Sequence, residues 1–175
     1  MEITAKSIGK KVNHISDLQM LGITVQHAEL EGRFFSRHKN PDGTVGGFVE
    51  KTAMVAETAY IGPSALIFNK AQVYNMATVL DNACVFGNAR VFGNARVFDN
   101  AEVFGNARVF DNACVFGNAY IYGEAQISGK AEITRDRIGI KYNFTSTAQV
   151  EEYLKSVEEL KARLDAIGKK SILRK

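Results

Sequence analysis

Residues 88–117 read NARVFGNARVFDNAEVFGNARVFDNACVFG, one six-residue pattern repeated five times. Alanine recurs at every sixth position of residues 53–131, and a valine or isoleucine follows two positions after each alanine. Residues 47–49 fit the pattern as a degenerate first copy, which makes fifteen copies without an insertion. A repeat of this length and regularity indicates a repetitive architecture, so it decides the fold.

The period of six indicates short strands joined by corners. It does not match an α-helix, whose apolar positions recur every 3.6 residues. Within each copy the alanine and the valine or isoleucine are two positions apart, as are side chains on one face of a strand. The Gly-Asn or Asp-Asn pair that follows is typical of turns that need a positive φ. Successive copies therefore predict a coil, and stacked coils form parallel sheets with strands about 4.8 Å apart.

The uninterrupted pattern A-x-[VI]-x-x-x resembles that of the hexapeptide-repeat proteins, which fold as left-handed parallel β-helices. The resemblance covers residues 47–134 and implies that three copies form each triangular coil. Fifteen copies then predict about five coils, in a prism on the order of 24 Å long. We therefore expect a mainly β protein with five segments: an N-terminal cap or partner-binding segment at 1–46, the β-helix at 47–134, a connector at 135–145, an amphipathic α-helix at 146–168 and a basic tail at 169–175.

Aromatic residues stand directly after the inward valine or isoleucine, where the family usually has a small or acidic residue. The positions are Phe68, Tyr74, Phe86, Phe92, Phe98, Phe104, Phe110, Phe116 and Tyr122. One interpretation is that these rings pack at the corners or widen the core. The other is that they form aromatic ladders on the outside, an interface between subunits for which Phe92 and Phe110 are candidate residues.

Residues 146–168 have the pattern of an amphipathic helix. Ser146 and Gln149 have the spacing of a capping box. Apolar residues then alternate three and four positions apart, at Val150, Tyr153, Val157, Leu160, Leu164 and Ile167. This heptad stripe either lies along the solenoid or packs against other copies of the chain. The resemblance implies trimers that a C-terminal helix helps to hold, so we expect a homotrimer with these six residues at its interface.

Three arginines are candidates for binding an anion. If three copies complete one coil, Arg90 and Arg108 stand one above the other, and Arg96 lies on the next face. Neighbouring guanidinium groups repel each other unless a negative group lies near them. That group is Asp99 or Asp111 of the same chain, a carboxylate of another subunit, or a phosphate. Between the subunits of a trimer, such a column of arginines would form a site for a small anionic, nucleotide-like ligand.

The residues of the repeats do not predict an enzyme. Many hexapeptide-repeat proteins are acyltransferases that use an acyl-CoA-like donor and a histidine as general base. Here His14, His27 and His38 all precede the repeats, and no insertion supplies the loop that commonly covers the family's active site. We therefore predict no catalytic residue, no cofactor and no metal site. An acyltransferase is the alternative function, and it would need an N-terminal histidine at a cleft between subunits.

Composition narrows the remaining classes. Of the 175 residues 46% are hydrophobic and 23% charged, which is typical of globular proteins. The net charge is +3, and the outward repeat positions mix both signs, so we expect no nucleic-acid partner. No apolar run reaches the ~18 residues of a membrane span, and the first residues lack a signal-peptide pattern. Neither Cys84 nor Cys114 has metal-site spacing.

The sequence thus predicts a non-enzymatic binding or assembly module located in the cytoplasm or in a virus particle. Its near-identical repeats without histidine also resemble those of phage- or prophage-encoded repeat proteins. The expected partners are other copies of the chain, and either a small anion or another protein. Whether the module is structural or captures a ligand stays open at this point.

Overall fold

The structure is a computed structural model that describes residues 10–135, 137–138 and 142–172. The helices are α1 (Ile15–Met20) and α2 (Thr147–Ile172). The strands are β1 (Lys10–Lys11), β2 (His27–Leu30), β3 (Arg33–Lys39), β4 (Val45–Glu50), β5 (Met54–Val55), β6 (Tyr60–Ile61), β7 (Leu66–Ile67), β8 (Gln72–Val73), β9 (Thr78–Val79), β10 (Cys84–Val85), β11 (Arg90–Val91), β12 (Arg96–Val97), β13 (Glu102–Val103), β14 (Arg108–Val109), β15 (Cys114–Val115), β16 (Tyr120–Ile121), β17 (Gln126–Ile127), β18 (Glu132–Ile133), β19 (Arg137–Ile138) and β20 (Asn143–Phe144).

From β4 onward the strands form three parallel sheets, which we call walls. Wall 1 contains β4, β7, β10, β13, β16 and β19; wall 2 contains β5, β8, β11, β14, β17 and β20; wall 3 contains β6, β9, β12, β15 and β18. Consecutive strands lie in different walls, and each strand pairs with the third strand after it, so that Val85 lies beside Val103. The result is a parallel β-solenoid of about five coils with a C-terminal helix, which confirms the predicted mainly β class and coil number.

The repeat maps directly onto this geometry. The alanine and the valine or isoleucine of each copy are completely or almost completely buried from Ala59 to Ile133, so they form one continuous core. Each coil donates backbone hydrogen bonds to the next, as from the Arg90 N–H to the Ala107 carbonyl at 2.9 Å. From Asn69 to Gly129 each corner has a residue with a positive φ, which is +70° at Gly105. A β-carbon built there would lie 2.9 Å from the backbone nitrogen of Gly123, and this close approach favours glycine.

The N-terminal segment extends wall 1. Strands β1 and β2 are parallel, β2–β3 and β3–β4 are antiparallel, and α1 packs beside them. Leu18 and Phe35 pack on the outward-facing Phe48 and Leu66 and form a second, smaller core outside the wall. At the open edge of β6, the Asn40 side-chain amide accepts a hydrogen bond from the Ile61 N–H at 2.8 Å and donates one to its carbonyl at 3.1 Å.

The other end of the solenoid contains two strands that the sequence did not predict. Strands β19 and β20 lie in the expected connector at 135–145 and continue walls 1 and 2. Here Ile121 pairs with Ile138 and Ile127 with Phe144, so each partner comes one position earlier than three full copies of the repeat would place it. The corner after β18 is thus one residue shorter, and this shortening hides the last coil from a search for a period of six.

Helix α2 covers this end. It begins one residue after the predicted start and continues past the predicted end at Gly168. Val150 is buried in the solenoid core together with Ile138 and Phe144. In place of the predicted capping box, Gln149 Oε1 accepts hydrogen bonds from the Thr145 N–H and hydroxyl at 2.8 and 3.0 Å. Neither helix, over the described part of the chain, has the combination of length and apolarity that a membrane crossing requires.

Candidate functional site

The outward positions of wall 2 bring two of the predicted arginines together. Arg90 pairs with Arg108 in parallel register, and Gln72 and Gln126 lie above and below them. Both guanidinium-bearing side chains are exposed. They line a shallow groove of about 320 Å³, which we call the arginine groove; its lining residues are Asn88, Arg90, Asn106, Arg108, Glu124 and Gln126. The predicted stacking of the two arginines is therefore present.

One side of the arginine groove is an asparagine ladder that the sequence reasoning missed. Asn88 Nδ2 donates to Asn106 Oδ1 at 3.2 Å across one coil. Equivalent bonds join Asn94 to Asn112 at 3.3 Å at another corner. The signal was present, because asparagine precedes the alanine in seven consecutive copies of the repeat. The ladder aligns amide groups along the groove, so this side of it is polar and ordered.

The expected pairing of these arginines with Asp99 or Asp111 is not formed. Each aspartate instead accepts a hydrogen bond from the next coil: Asp99 from the Gly117 N–H at 3.0 Å and Asp111 from the Gly129 N–H at 3.1 Å. Both aspartates occupy corner positions with positive φ, at +59° and +58°. Within the described part of the chain, neither arginine of the groove has a carboxylate oxygen within 4.0 Å.

The third predicted arginine lies elsewhere. Arg96 is on wall 3, between Thr78 and Cys114. Its guanidinium carbon lies 5.4 Å from the centre of the Phe98 ring, a distance at which a cation is attracted to an aromatic face. The three arginines therefore do not form one site, and the pair on wall 2 lines the arginine groove without Arg96.

The aromatic residues of the repeats stack in ladders along the corners. Ring centroids are 4.9 Å apart for Tyr74 and Phe92 and 5.0 Å apart for Phe92 and Phe110, with planes inclined by 3° in both pairs. A second ladder joins Phe68, Phe86, Phe104 and Tyr122, and a third joins Phe98 and Phe116. All nine rings are half-buried, so they both pack at the corners and present their edges to solvent. Their role in an interface stays a prediction.

An ion pair terminates one ladder at the N-terminal end. Arg33 donates two hydrogen bonds to the buried Glu50 carboxylate and a third to Asn69 Oδ1 at 3.1 Å. Its guanidinium lies 5.4 Å from the centre of the Phe68 ring. Burial alone would raise the pKa of Glu50, but the hydrogen bonds from Arg33 and the Asn69 N–H and the positive charge hold it below its usual range. This pair joins the N-terminal segment to the first coil.

The predicted heptad stripe divides into two parts. Val150 is buried, and Tyr153 is half-buried with its ring centre 4.4 Å from that of Tyr142. Val157 is also half-buried, whereas Leu160 is 56% and Leu164 is 59% exposed. The side chain of the predicted interface residue Ile167 lies outside the described residues. The first turns of α2 thus cover the solenoid, so Val150 serves this chain's own core, and residues 158–166 are all exposed.

The three histidines all lie in the N-terminal segment. His38 Nε2 lies 3.2 Å from the Ala59 carbonyl, and its burial lowers its pKa. His27 Nδ1 lies 3.1 Å from the Ser36 hydroxyl, and His14 precedes α1. No histidine of the described ranges lines the arginine groove or the second groove of about 460 Å³ between α1 and wall 1. The same ranges contain no group of three histidine, cysteine, aspartate or glutamate side chains placed to hold a metal ion.

Both cysteines are free thiols on the outward side of the walls. Burial, followed by the negative charge of Glu102, raises the pKa of Cys84 to about 12. Burial also raises the pKa of Cys114, against the opposing effect of Arg96. A raised pKa keeps the thiol protonated, and the protonated form is a poor nucleophile. This environment does not suit a catalytic cysteine.

Comparison of the chain with models of protein families, with curated proteins and with solved structures finds no match. The candidate site is therefore defined by geometry alone: an arginine groove on wall 2, aromatic ladders at the corners and an exposed leucine stripe on α2.

Proposed function

We propose that this protein is a rigid, non-enzymatic assembly module, a left-handed β-helix that forms a homotrimer through helix α2. The observation that carries the proposal is the exposure of Leu160 and Leu164 in a heptad stripe whose first residue, Val150, is buried. A solenoid is well suited to this function because its continuous core keeps the two ends at a fixed separation.

The exposed part of α2 would gain stability from a partner. Most helical stability in proteins comes from packing of an apolar face. Residues 158–166 lie beyond the contacts of the solenoid and still carry two leucines four positions apart. Packing these leucines against those of other copies would remove both from water. Complete burial of an exposed leucine side chain stabilises an assembly by roughly 1.5–3 kcal/mol.

The charges beside the stripe favour parallel helices. In the heptad register that begins at Val150, Lys161 and Arg163 occupy the flanking e and g positions. In a parallel bundle each faces an uncharged residue of the neighbour, Ser156 and Gly168 respectively, so no like charges meet. Parallel helices agree with rotational symmetry about one axis, which is the symmetry of the trimers implied by the hexapeptide-repeat resemblance.

The experiment is size-exclusion chromatography with light scattering on the intact chain and two double variants. Leu160→Ala/Leu164→Ala is expected to lower the mass from three chains to one, because alanine keeps helix propensity and removes the apolar stripe. Lys155→Ala/Glu159→Ala alters exposed positions outside the stripe on the same helix, without a change in net charge, and is expected to remain trimeric. If both variants keep the wild-type mass, the proposal is wrong.

Capture of a small anionic ligand is a second candidate function, and the arginine groove favours it. Arg90 and Arg108 are stacked, exposed and not paired with a described carboxylate. Isothermal titration calorimetry with phosphate, citrate and pyrophosphate at low ionic strength tests this function. Binding of at least one of them, lost in Arg90→Gln/Arg108→Gln, is expected; no binding of any anion would reject it.

A further inference from the structure

We infer that the arginine groove of wall 2 binds a diphosphate group, with one phosphoryl group facing Arg90 and the other facing Arg108. This inference rests on the second candidate function and names the chemical class of its ligand. It concerns one face of a single chain, so it does not depend on the assembly proposed for α2.

The spacing of the two strands on which the arginines lie is the basis of the inference. Arg90 and Arg108 are directly paired residues of adjacent strands, so their backbones are about 4.8 Å apart. A guanidinium group donates parallel N–H bonds to two oxygens of one phosphoryl group. Two guanidinium groups one coil apart therefore match two covalently linked phosphoryl groups better than one phosphate, because the oxygens of a lone phosphate lie closer together than two adjacent coils.

The asparagine side and the size of the groove agree with this ligand. Asn88 uses its Nδ2 group to donate to Asn106 Oδ1, whereas no hydrogen bond joins the Asn106 Nδ2 group to another described residue. That amide remains a donor beside Arg108. The volume of about 320 Å³ is at the lower end of the roughly 300–1,000 Å³ of small-molecule sites. The groove thus has room for a diphosphate, and the rest of a larger ligand would lie in solvent.

Glu124 makes the groove asymmetric. Its carboxylate stands one coil beyond Asn106, at the end of the groove next to Gln126. At the opposite end, Lys70 occupies the corresponding corner position one coil before Asn88. An anion is therefore attracted toward the Lys70 end and repelled from the Glu124 end. Replacing Glu124 should strengthen binding, which is a result that general loss of structure cannot produce.

Arg96 provides a matched control within the same repeat. It has the same sequence neighbours, N-A-R-V-F, but its guanidinium lies over the Phe98 ring and does not line the arginine groove. Arg90 and Arg108 make no such ring contact within the described residues. A ligand attracted only by net positive charge would respond equally to the loss of any of the three arginines.

The test is isothermal titration calorimetry of the full chain with pyrophosphate, ADP, inorganic phosphate and citrate at low ionic strength. Pyrophosphate and ADP should bind with similar affinity, and phosphate and citrate at least about tenfold more weakly. Each of Arg90→Gln and Arg108→Gln should weaken pyrophosphate binding by about tenfold or more, since a hydrogen bond to a charged group contributes that much. Arg96→Gln should leave the affinity unchanged, and Glu124→Gln should raise it severalfold.

Several results would overturn the inference. Tight citrate binding with weak pyrophosphate binding would retain anion capture but reject the diphosphate, and binding of no anion would reject both. Binding of ADP without pyrophosphate would place the recognition on the base and sugar. An equal loss of pyrophosphate affinity in all three arginine variants would show that the anion is attracted by net charge alone. Circular dichroism of each variant verifies that it is folded.

Discussion

The rings of Phe86 and Phe104 lie parallel, with centroids 4.8 Å apart and planes inclined by 3°, although they belong to different coils of the chain. The separation equals the distance between adjacent coils, so each ring extends the backbone ladder into the corner. A continuous stack of half-buried rings therefore adds apolar contact between coils beyond that of the alanine and valine core.

Removing one ring should weaken the solenoid. Phe104→Ala deletes a ring that stacks on Phe86 and Tyr122. Since the ring is half-buried, we expect a loss of about 2 kcal/mol, below the 3–5 kcal/mol typical of fully buried phenylalanines. The measurement is guanidinium-induced unfolding followed by circular dichroism. Phe34→Ala makes the same change at a ring that is 58% exposed and should cost under about 0.5 kcal/mol. Equal losses would contradict the role of stacking.

Substitution of Gly105 by alanine should destabilise the protein more than substitution by aspartate. Its φ is +70°, and a β-carbon would approach the Gly123 nitrogen. Gly105→Ala should cost about 2–3 kcal/mol, from backbone strain and this contact together. Gly105→Asp should cost less, because aspartate tolerates positive φ and its carboxylate can accept from the Gly123 N–H, as Asp99 does from Gly117.

Gly43 is the control for strain alone, because its φ is +82° and no atom lies within 4 Å of a built β-carbon. Gly43→Ala should therefore cost only about 1 kcal/mol in the same unfolding assay. If Gly105→Asp destabilised the protein more than Gly105→Ala, the proposed use of the corner aspartates would be wrong.

The two thiols should react slowly with iodoacetamide at pH 8. Burial raises the pKa of both, most strongly at Cys84, so little thiolate is present at that pH. We expect Cys114 to be alkylated before Cys84, and both to react much faster in denaturant. Peptide mass mapping at successive times gives the two rates. Modification of native Cys84 at the rate of the denatured chain would show that its thiol is not buried as described.

The Glu50–Arg33 pair should make the N-terminal junction sensitive to acid. The pKa of Glu50 is lower in the folded protein than in the unfolded chain. Its contribution to stability is therefore complete above the unfolded value of about 4.3 and is lost as the pH falls through the folded value. Wild type should thus lose more stability than Glu50→Gln between about pH 5 and pH 2 in thermal unfolding experiments. Glu57→Gln, at an exposed position, should keep the wild-type pH dependence.

The fold was predictable where one physical requirement recurs in every copy. Each coil needs small or β-branched inward residues and corners that tolerate positive φ, and these needs appear as the period of six. The same period predicted that Arg90 and Arg108 are stacked. Strands β19 and β20 were not predicted, because a corner one residue shorter interrupts the period of six. Both strands still pair with their neighbours in walls 1 and 2.

Features that depend on side-chain direction were not predictable from spacing. Asp99 turns along the solenoid axis to the Gly117 N–H, and Arg96 turns to its own Phe98 ring. Both side-chain directions depend on local corner geometry, which the spacing of the repeat does not specify. One sequence feature did indicate that the N-terminal segment packs on wall 1. Two large apolar residues, Phe48 and Leu66, occupy outward positions one coil apart on this wall, and both are buried because α1 and β3 cover them.

Native mass spectrometry of the intact, gently purified chain tests the central claim most directly. We predict a trimer, because Leu160 and Leu164 are exposed in a single chain and form a stripe that can pack against the same stripe of other copies. A monomer at micromolar concentration would contradict it, since α2 would then serve only to cover the end of the solenoid through Val150.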